Sequence, residues 1–108
     1  MNPAIEHKSD EALMADIVRR EERAFAVLYD RYSPRMYRFF MRMFWQDAEK
    51  SADFTQELFL KIIEKPHLFQ PGRSFRTWIY TIAGNLCKNE FRRLKIREEE
   101  LPAWPDIA

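Results

Sequence analysis

The sequence predicts an all-α fold, a compact domain of three to four helices. Apolar residues recur every three or four positions along most of the chain, which is the period of one face of an α-helix. Only 2 of the 108 residues are glycine, fewer than the turns of a β-rich protein would need. Because 46% of the residues are hydrophobic and 15% aromatic, the chain can build a core and is not a disordered tail.

The helical domain is predicted to span residues 10–97. The segment before it is polar and unpatterned, so residues 1–9 are predicted to form a flexible tail. Residues 98–108 begin with three glutamates and contain two prolines, which is typical of the start of a linker or of a frayed end. They are assigned to the start of an interdomain linker.

The first helix is predicted to begin at Ser9 or Asp10, since either side chain can cap its amino end. Its apolar face is formed by Leu13, Met14, Ile17 and Val18. A second stripe starts at Phe25 and continues past Pro34 as far as Phe44. Its members are Phe25, Leu28, Tyr29, Tyr32, Tyr37, Phe40, Met41 and Phe44. Either Ser33 caps a new helix that has Pro34 as its first residue, or Pro34 kinks one long helix.

A third helix is predicted from about Ser51 to Glu64, after a turn over Trp45 to Lys50. Its buried stripe is formed by Phe54, Leu58, Phe59 and Ile62. The opposite face is polar, with one apolar residue, Leu60, at its centre. The polar members of this face are Asp53, Gln56, Glu57 and Glu64. Because single exposed leucines are common, Leu60 is either incidental or a contact point for a partner.

The last helix follows a loop over Lys65 to Arg73 that holds two prolines and a glycine, and Ser74 is its predicted cap. Its core face is formed by Phe75, Trp78, Ile79, Ile82 and Leu86. Another stripe lies within about 60° of arc and contains no acid. Its members are Thr81, Asn85, Lys88 and Arg92. A stripe that is positive and donates hydrogen bonds suits a helix that faces nucleic acid.

Charge is segregated along the chain, although the net charge is only +1. Between Arg73 and Arg97 there are seven basic residues and one acid, Glu90. Between Asp47 and Glu64 there are five acids and two lysines. Two helices of opposite charge predict two separate interaction surfaces.

No catalytic or metal-binding constellation is found in the sequence, which predicts a protein that is not an enzyme and has no cofactor. His7 and His67 are isolated in a tail and a loop, and Cys87 has no second cysteine with which to form a disulfide. Cys87 is read as a partly buried apolar residue. The acids of the third helix lack the spacing of a metal site, so they are read as a solvated face.

The chain is predicted to act in the cytoplasm without membrane association. Its first residues lack the apolar core of a signal peptide, and no apolar run approaches the ~20 residues that span a bilayer. A single cysteine fits a reducing compartment.

Three segments resemble bacterial sigma factors of the extracytoplasmic-function group. They are AFAVLYDRYSPRMYRFF (Ala24 to Phe40), SADFTQELFLKI (Ser51 to Ile62) and SFRTWIYTIAGNLCKNEFRR (Ser74 to Arg93). A DxTQExF block followed at this distance by SFRTWIYxIAxNxxxxxxRR is a specific pairing. The resemblance covers region 2 of those factors and nearly the whole chain after the tail.

The resemblance implies that the third helix docks on the clamp helices of the largest catalytic subunit of core RNA polymerase. The polymerase-binding residues it assigns are Asp53, Gln56, Glu57 and Leu60. On this reading Leu60 is a small apolar anchor ringed by acids that meet basic partner residues.

The resemblance also implies that the last helix and the loop from Leu68 to Ser74 recognise the promoter −10 element as single-stranded DNA with a flipped base. The DNA-binding residues it assigns are Arg73, Arg76, Tyr80, Thr81, Asn85, Lys88, Arg92 and Arg93. From the residues alone, Tyr80 either stacks on an unpaired base or packs on a neighbouring helix. Asn89 departs from the family pattern, because many relatives carry an aspartate there, so the preferred base stays open.

Two further expectations come from the family. Its second domain, the helix-turn-helix region 4 that reads the −35 element, is expected to be absent from this chain, and an anti-sigma factor is an additional candidate partner. The alternative from another class is a helical adaptor module, in which the basic helix is only a solvated face. Sequence-dependent binding of single-stranded DNA distinguishes the two.

Overall fold

Four α-helices make up the described part of the chain, residues 4–100 of a computed structural model. They are α1 (Asp10–Val18), α2 (Glu22–Met43), α3 (Ala48–Glu64) and α4 (Phe75–Glu100), with 3-10 turns at Ile5–His7 and Pro66–Leu68. No strand occurs within residues 4–100, so the predicted all-α fold is confirmed. None of the helices in this range is both long enough and apolar enough to cross a membrane.

Pro34 lies inside α2, which is continuous from Glu22 to Met43. The structure therefore selects one long helix over two. Proline has no N–H, so the carbonyl of Asp30, four residues earlier, lacks its helical donor. Both residues are exposed, and water can supply the missing hydrogen bond.

The core is centred on α2, which packs against α1 and α3 while α4 contacts all three helices. Its largest buried side chains include Leu13, Met14, Leu28, Met36, Phe40, Leu58, Ile62, Phe75 and Ile79. Aromatic pairs join the helices: the ring centroids of Tyr32 and Phe75 are 5.1 Å apart. The predicted stripes of α3 and α4 are thus the faces that the fold buries. Tyr29 differs from its predicted place in the core, since it is 40% exposed with its ring against Phe59.

The two short connections are tighter than predicted, because non-glycine residues adopt left-handed backbone there. Arg20, between α1 and α2, has a φ of 65°, and the N–H groups of Arg20 and Glu21 donate back to the carbonyls of Ile17 and Asp16. This is a Schellman turn, in which glycine normally takes the left-handed position.

The turn after α2 follows the same pattern and moves the start of α3. Trp45 and Gln46 have φ values of 51° and 66°, and the Gln46 N–H donates to the Met41 carbonyl at 2.8 Å. The Asp47 carboxylate then accepts from the Lys50 N–H at 3.0 Å and caps the next helix. α3 therefore begins at Ala48, three residues before the predicted Ser51.

Most of the segment predicted as a flexible tail makes contacts in the structure. The Ser9 hydroxyl caps α1 by accepting from the Ala12 N–H at 3.1 Å, as predicted. Arg31 donates to the Glu6 carbonyl at 2.7 Å, and Lys8 pairs with Asp16 at 2.7 Å. Residues 1–3 of the predicted tail lie outside the described residues. At the other end α4 runs on to residue 100, while residues 101–108 of the predicted linker also lie outside them.

The first turn of α1 holds both α2 and α4. The Asp10 carboxylate accepts from Arg31 at 2.9 Å and from the Tyr32 hydroxyl at 2.5 Å. The Glu11 carboxylate accepts from the Phe75 N–H, 64 residues away, at 3.0 Å. Since the Ser74 hydroxyl accepts from the Thr77 N–H at 3.2 Å, two of the free N–H groups at the start of α4 are satisfied.

We expect Glu11→Ala to lower the free energy of unfolding by about 1 kcal/mol, the usual effect of losing a helix cap. Amide hydrogen exchange at Phe75 should accelerate in this variant, because its N–H loses its acceptor. Urea denaturation and exchange measured by NMR check both effects. Glu98→Ala, which removes an exposed carboxylate, is the control. Unchanged exchange at Phe75 would contradict the role of Glu11.

Candidate nucleic-acid and protein interfaces

The α3 acidic face, defined as Asp53, Gln56, Glu57 and Leu60, lies entirely on the solvent side of α3. Leu60 is 55% exposed, which confirms its predicted exposure, while Leu58, Phe59 and Ile62 are buried on the other side of the helix. The sequence therefore assigned the inner and outer faces of this helix correctly.

Ile63 extends the apolar part of this face and was missed by the sequence reasoning. It is 48% exposed and lies three residues after Leu60, so the two side chains are neighbours on the helix surface. The available signal was its angular position, only about 60° from Leu60. Two adjacent apolar side chains make a larger anchor than Leu60 alone.

The α4 polar stripe, defined as Thr81, Asn85, Lys88 and Arg92, is exposed along its whole length. The Thr81 hydroxyl donates to the Thr77 carbonyl at 2.8 Å. Within the described range, neither Lys88 nor Arg92 forms an ion pair, so both charges are available to a partner.

Glu90, the lone acid of the basic segment, lies on the inner side of α4 and is neutralised there. Its carboxylate accepts from Arg93 at 2.7 and 3.0 Å and pairs with Lys50 of α3 at 2.5 Å. The hydrogen bonds from Arg93, with those from Lys50, outweigh the opposing effect of burial and lower the pKa of Glu90 to about 2. The outer surface of α4 is consequently free of acids from Arg76 to Arg97.

Arg93 differs from the other basic residues assigned to DNA, since the Nε and one Nη of its guanidinium donate to the two carboxylate oxygens of Glu90. This engagement raises the pKa of Arg93 through its hydrogen bonds to Glu90. Sequence reasoning treated Arg93 like its neighbours, although its spacing of three residues from Glu90 was an available signal for this pair.

Tyr80 and Arg76 lie on the flank of α4 that is nearer to α2. The Tyr80 ring packs edge-on against Phe39 of α2, with centroids 5.8 Å apart, and the Arg76 guanidinium is 5.8 Å from the Tyr80 centroid. Of the two alternatives for Tyr80, packing on a neighbouring helix is observed, yet the ring remains half-buried and partly open. A shallow depression lined by Arg76, Thr77, Tyr80 and Thr81 connects this flank to the α4 polar stripe.

The loop before α4 is anchored by one aromatic side chain. Phe69 is buried, and its ring lies 6.0 Å from that of Phe75 and 5.2 Å from that of Trp78. Leu68 is 58% exposed, and Arg73 is exposed as well. Arg73, the basic residue of this loop that is assigned to DNA, is therefore exposed, while Phe69 anchors the loop in the core.

Cys87 is the one cysteine of the chain. Cys87 is fully buried, not partly buried as predicted, and burial raises its thiol pKa to about 11. Within residues 4–100, no three His, Cys, Asp or Glu side chains come together in a way that would hold a metal ion.

Comparisons with known proteins agree on one family. The family described as Sigma-70 region 2 matches residues 28–96. In an alignment of 98 residues that covers 84% of this chain, it is 36% identical to the ECF RNA polymerase sigma factor BldN of Streptomyces coelicolor. In an alignment of 89 residues that covers 81% of this chain, it is 35% identical to the ECF RNA polymerase sigma factor RpoE of Cereibacter sphaeroides. No solved structure matched the chain.

The chain spans about a third to a half of the curated relatives it matches, 36% of BldN and 49% of RpoE. The ECF RNA polymerase sigma factor SigX of Bacillus subtilis, 31% identical over 67% of this chain, is covered to 37%. The similarity therefore concerns one region of longer proteins.

We expect acid to weaken the fold through Glu90. Because its folded pKa of about 2 lies below its ordinary value of 4.5, its stabilisation is complete above about pH 4.5 and is lost as the pH falls toward 2. Glu90→Gln should therefore lower the free energy of unfolding by about 1–3 kcal/mol at neutral pH. The difference from wild type should shrink at about pH 3.

Urea denaturation at both pH values measures this, with Glu98→Gln as the control for an exposed carboxylate. A difference between Glu90→Gln and wild type that is the same at both pH values would show that the ion network does not respond to acid as described.

Proposed function

Since the chain belongs to the sigma-70 family as a region 2 domain, we propose that it is a transcription initiation domain that docks on core RNA polymerase and recognises and melts the promoter −10 element. The observation that carries the proposal is the division of the surface between an acidic face with an apolar anchor on α3 and an acid-free basic stripe on α4. A plain solvated surface would mix both signs of charge on both helices.

The docking step is assigned to the α3 acidic face. Leu60 and Ile63 offer the apolar area that forms the centre of a protein interface, and Asp53 and Glu57 border it with negative charge. The partner surface that complements this face presents apolar and basic side chains, and we assign it to the clamp helices of the largest polymerase subunit. Complementary charge speeds association and fixes how the two surfaces align.

The DNA step is assigned to α4 and the loop before it. Lys88 and Arg92 are exposed and unpaired within the described range, so they can hold phosphates, while the Asn85 amide can both donate to and accept from a base edge. Arg73, Arg76, Tyr80 and Thr81 continue the surface toward the loop, with Arg93 held back by Glu90. Melting costs unpairing energy, which capture of a flipped base offsets.

In this proposal the chain is not an enzyme, since the polymerase performs the chemistry. It acts in the cytoplasm with RNA polymerase, and an anti-sigma factor that covers either surface would regulate it.

We expect Leu60→Arg to abolish docking while leaving the helices intact, because residue 60 is exposed and makes no core contact. Loss of a central apolar anchor typically costs at least ~2 kcal/mol, or about 30-fold in affinity. The measurement is a binding titration against an isolated polymerase clamp-helix fragment. Circular dichroism of the variant reports its helix content.

Ile96→Arg is the matched control, because Ile96 is 48% exposed on a helix surface but lies near the end of α4, away from α3 residues 53–63. Equal loss of binding in Ile96→Arg would show that added charge, not position 60, is responsible. Loss of helicity in Leu60→Arg would refute the assignment of the α3 faces.

We expect Asn85→Ala and Lys88→Ala to weaken open-promoter binding with docking on core polymerase unchanged. Asn85→Ala should relax base preference at one position, at a cost of ~1–3 kcal/mol, because it removes a base contact. Lys88→Ala should weaken all sequences alike and reduce the dependence of log K on log salt by about 0.7.

Fluorescence anisotropy with fork-junction DNA measures the promoter affinity of both variants. The −10 sequences of this DNA are chosen beforehand by selection with polymerase that carries this chain. Lys65→Ala, which removes an exposed lysine outside the stripe, is the control. Promoter affinities equal to wild type in both variants would remove the role given to the α4 polar stripe.

A further inference from the structure

A cleft between α2 and α4 is lined by arginines that none of the proposed roles uses. We call it the α2 arginine cleft and define it by Arg35, Arg38 and Arg42 of α2, with Tyr37, Gln46 and Tyr80 around them. Its volume is about 580 Å³, large enough for part of an extended ligand. Sequence reasoning did not single out these arginines, because only the folded position of α4 turns their side of α2 into a concave surface.

The three arginines form a row along α2. Their spacing of three and four residues keeps them within about 60° of arc, and a rise of ~1.5 Å per residue places the first and last ~10 Å apart along the axis. This length corresponds to about three nucleotides at ~3.4 Å each in a stacked strand.

The row carries charge without compensation. No carboxylate lines the cleft, and within the described range Arg35, Arg38 and Arg42 form no ion pair. Arg31, one turn earlier, differs because it pairs with Asp10 and donates to the Glu6 carbonyl. Three like charges in a concave surface repel one another and attract an anion that extends along the row.

Aromatic rings in the cleft favour one kind of anion. Tyr37 and Tyr80 are both half-buried and line the cleft, so part of each side chain is open to a ligand. A basic groove interleaved with aromatic rings is the arrangement that binds single-stranded nucleic acid, with phosphates on the arginines and bases on the rings. A compact anion would leave the rings without a role, and an acidic protein segment would leave them without bases to stack on.

The cleft is continuous with the surface already assigned to DNA. Tyr80 lines both the cleft and the shallow depression that it shares with Arg76, Thr77 and Thr81. Thr81 is in turn the first residue of the α4 polar stripe. A strand lying on α4 therefore reaches the cleft without crossing an acidic surface.

We propose that the α2 arginine cleft binds the segment of single-stranded DNA next to the one held by α4, with phosphates on Arg38 and Arg42 and a base stacked on Tyr37. This inference rests on the proposed function of α4. It adds a second stretch of the DNA path, on a helix to which neither docking nor promoter recognition has been assigned.

The test is a salt titration of the binding of a fluorescent oligodeoxythymidylate of about 15 nucleotides, within the site sizes of ~4–16 nucleotides typical of such grooves. It is run on the 108-residue chain alone and bound to core RNA polymerase, with core alone as the baseline. The cleft variant is Arg38→Gln with Arg42→Gln, which keeps residues of good helix propensity. The matched control is Arg23→Gln with Lys65→Gln, which removes two exposed positive charges outside the cleft.

We expect the cleft variant to reduce the slope of log K against log salt by about 1.4 and to bind about 20-fold more weakly at ~0.1 M salt than wild type. The control variant should bind like wild type. Tyr37→Leu should weaken binding about tenfold with the slope unchanged, because it removes stacking and no charge.

A reference variant, Lys88→Ala with Arg92→Ala, separates failure of this inference from failure of the proposed function. If the reference variant weakens binding and the cleft variant does not, the cleft is not part of the DNA path and the role of α4 stands. If neither weakens binding, or the wild type does not bind in either form, both fail. If the cleft variant weakens binding and the reference variant does not, the role of α4 fails instead.

Two further outcomes would overturn the inference by showing that the cleft binds something other than single-stranded DNA. A cleft variant that keeps DNA affinity but loses affinity for core polymerase would assign the cleft to an acidic protein surface. An equal loss of binding to a duplex of the same length would mark it as a general polyanion surface.

Discussion

The fold depends on the hydrogen bonds made by the first turn of α1. Asp10 holds Arg31 and Tyr32 of α2, and Glu11 caps α4 through the Phe75 N–H. A helix of nine residues is not stable alone in water, so α1 exists through these contacts and its buried face. The cap from Glu11 fixes where α4 begins. The position of α4 in turn sets the distance between its basic surface and the arginines of α2.

Internal pairing of charge removes the acid of the basic segment, and one of the two lysines of α3, from the outer surfaces. Glu90 is the only acid of α4 before its last turn, and it is buried against Lys50 and Arg93. The contact between Lys50 and Glu90 neutralises one lysine of α3 and links α3 to α4. A structural ion network thereby produces the contrast between an acidic docking face and a basic stripe that the proposed function requires. Repulsion within each surface is relieved when a partner of opposite charge binds.

Features set by local chemistry could be predicted from the sequence, and features set by packing could not. The caps at Ser9 and Ser74 and the exposure of Leu60 follow from side-chain type and helical period. The left-handed residues Arg20 and Trp45 gave no signal, because glycine is what marks such turns. The candidate site divides in the same way. Its acidic face, its polar stripe and the pairing of Arg93 with Glu90 lie within single helices, whereas the cleft and the contact of Lys50 with Glu90 need two helices to be placed together.

The length of the connections has a consequence for how the chain is made. The helices α1, α2 and α3 are joined by tight turns and pack mainly on their neighbours in sequence, so their contacts close short loops. α4 enters last, after the long connection, and its cap reaches back 64 residues to Glu11. We therefore expect the first three helices to assemble early during synthesis, with α4 packing on them only after it has left the ribosome. In this order, the nascent chain forms the α3 acidic face before the α4 polar stripe.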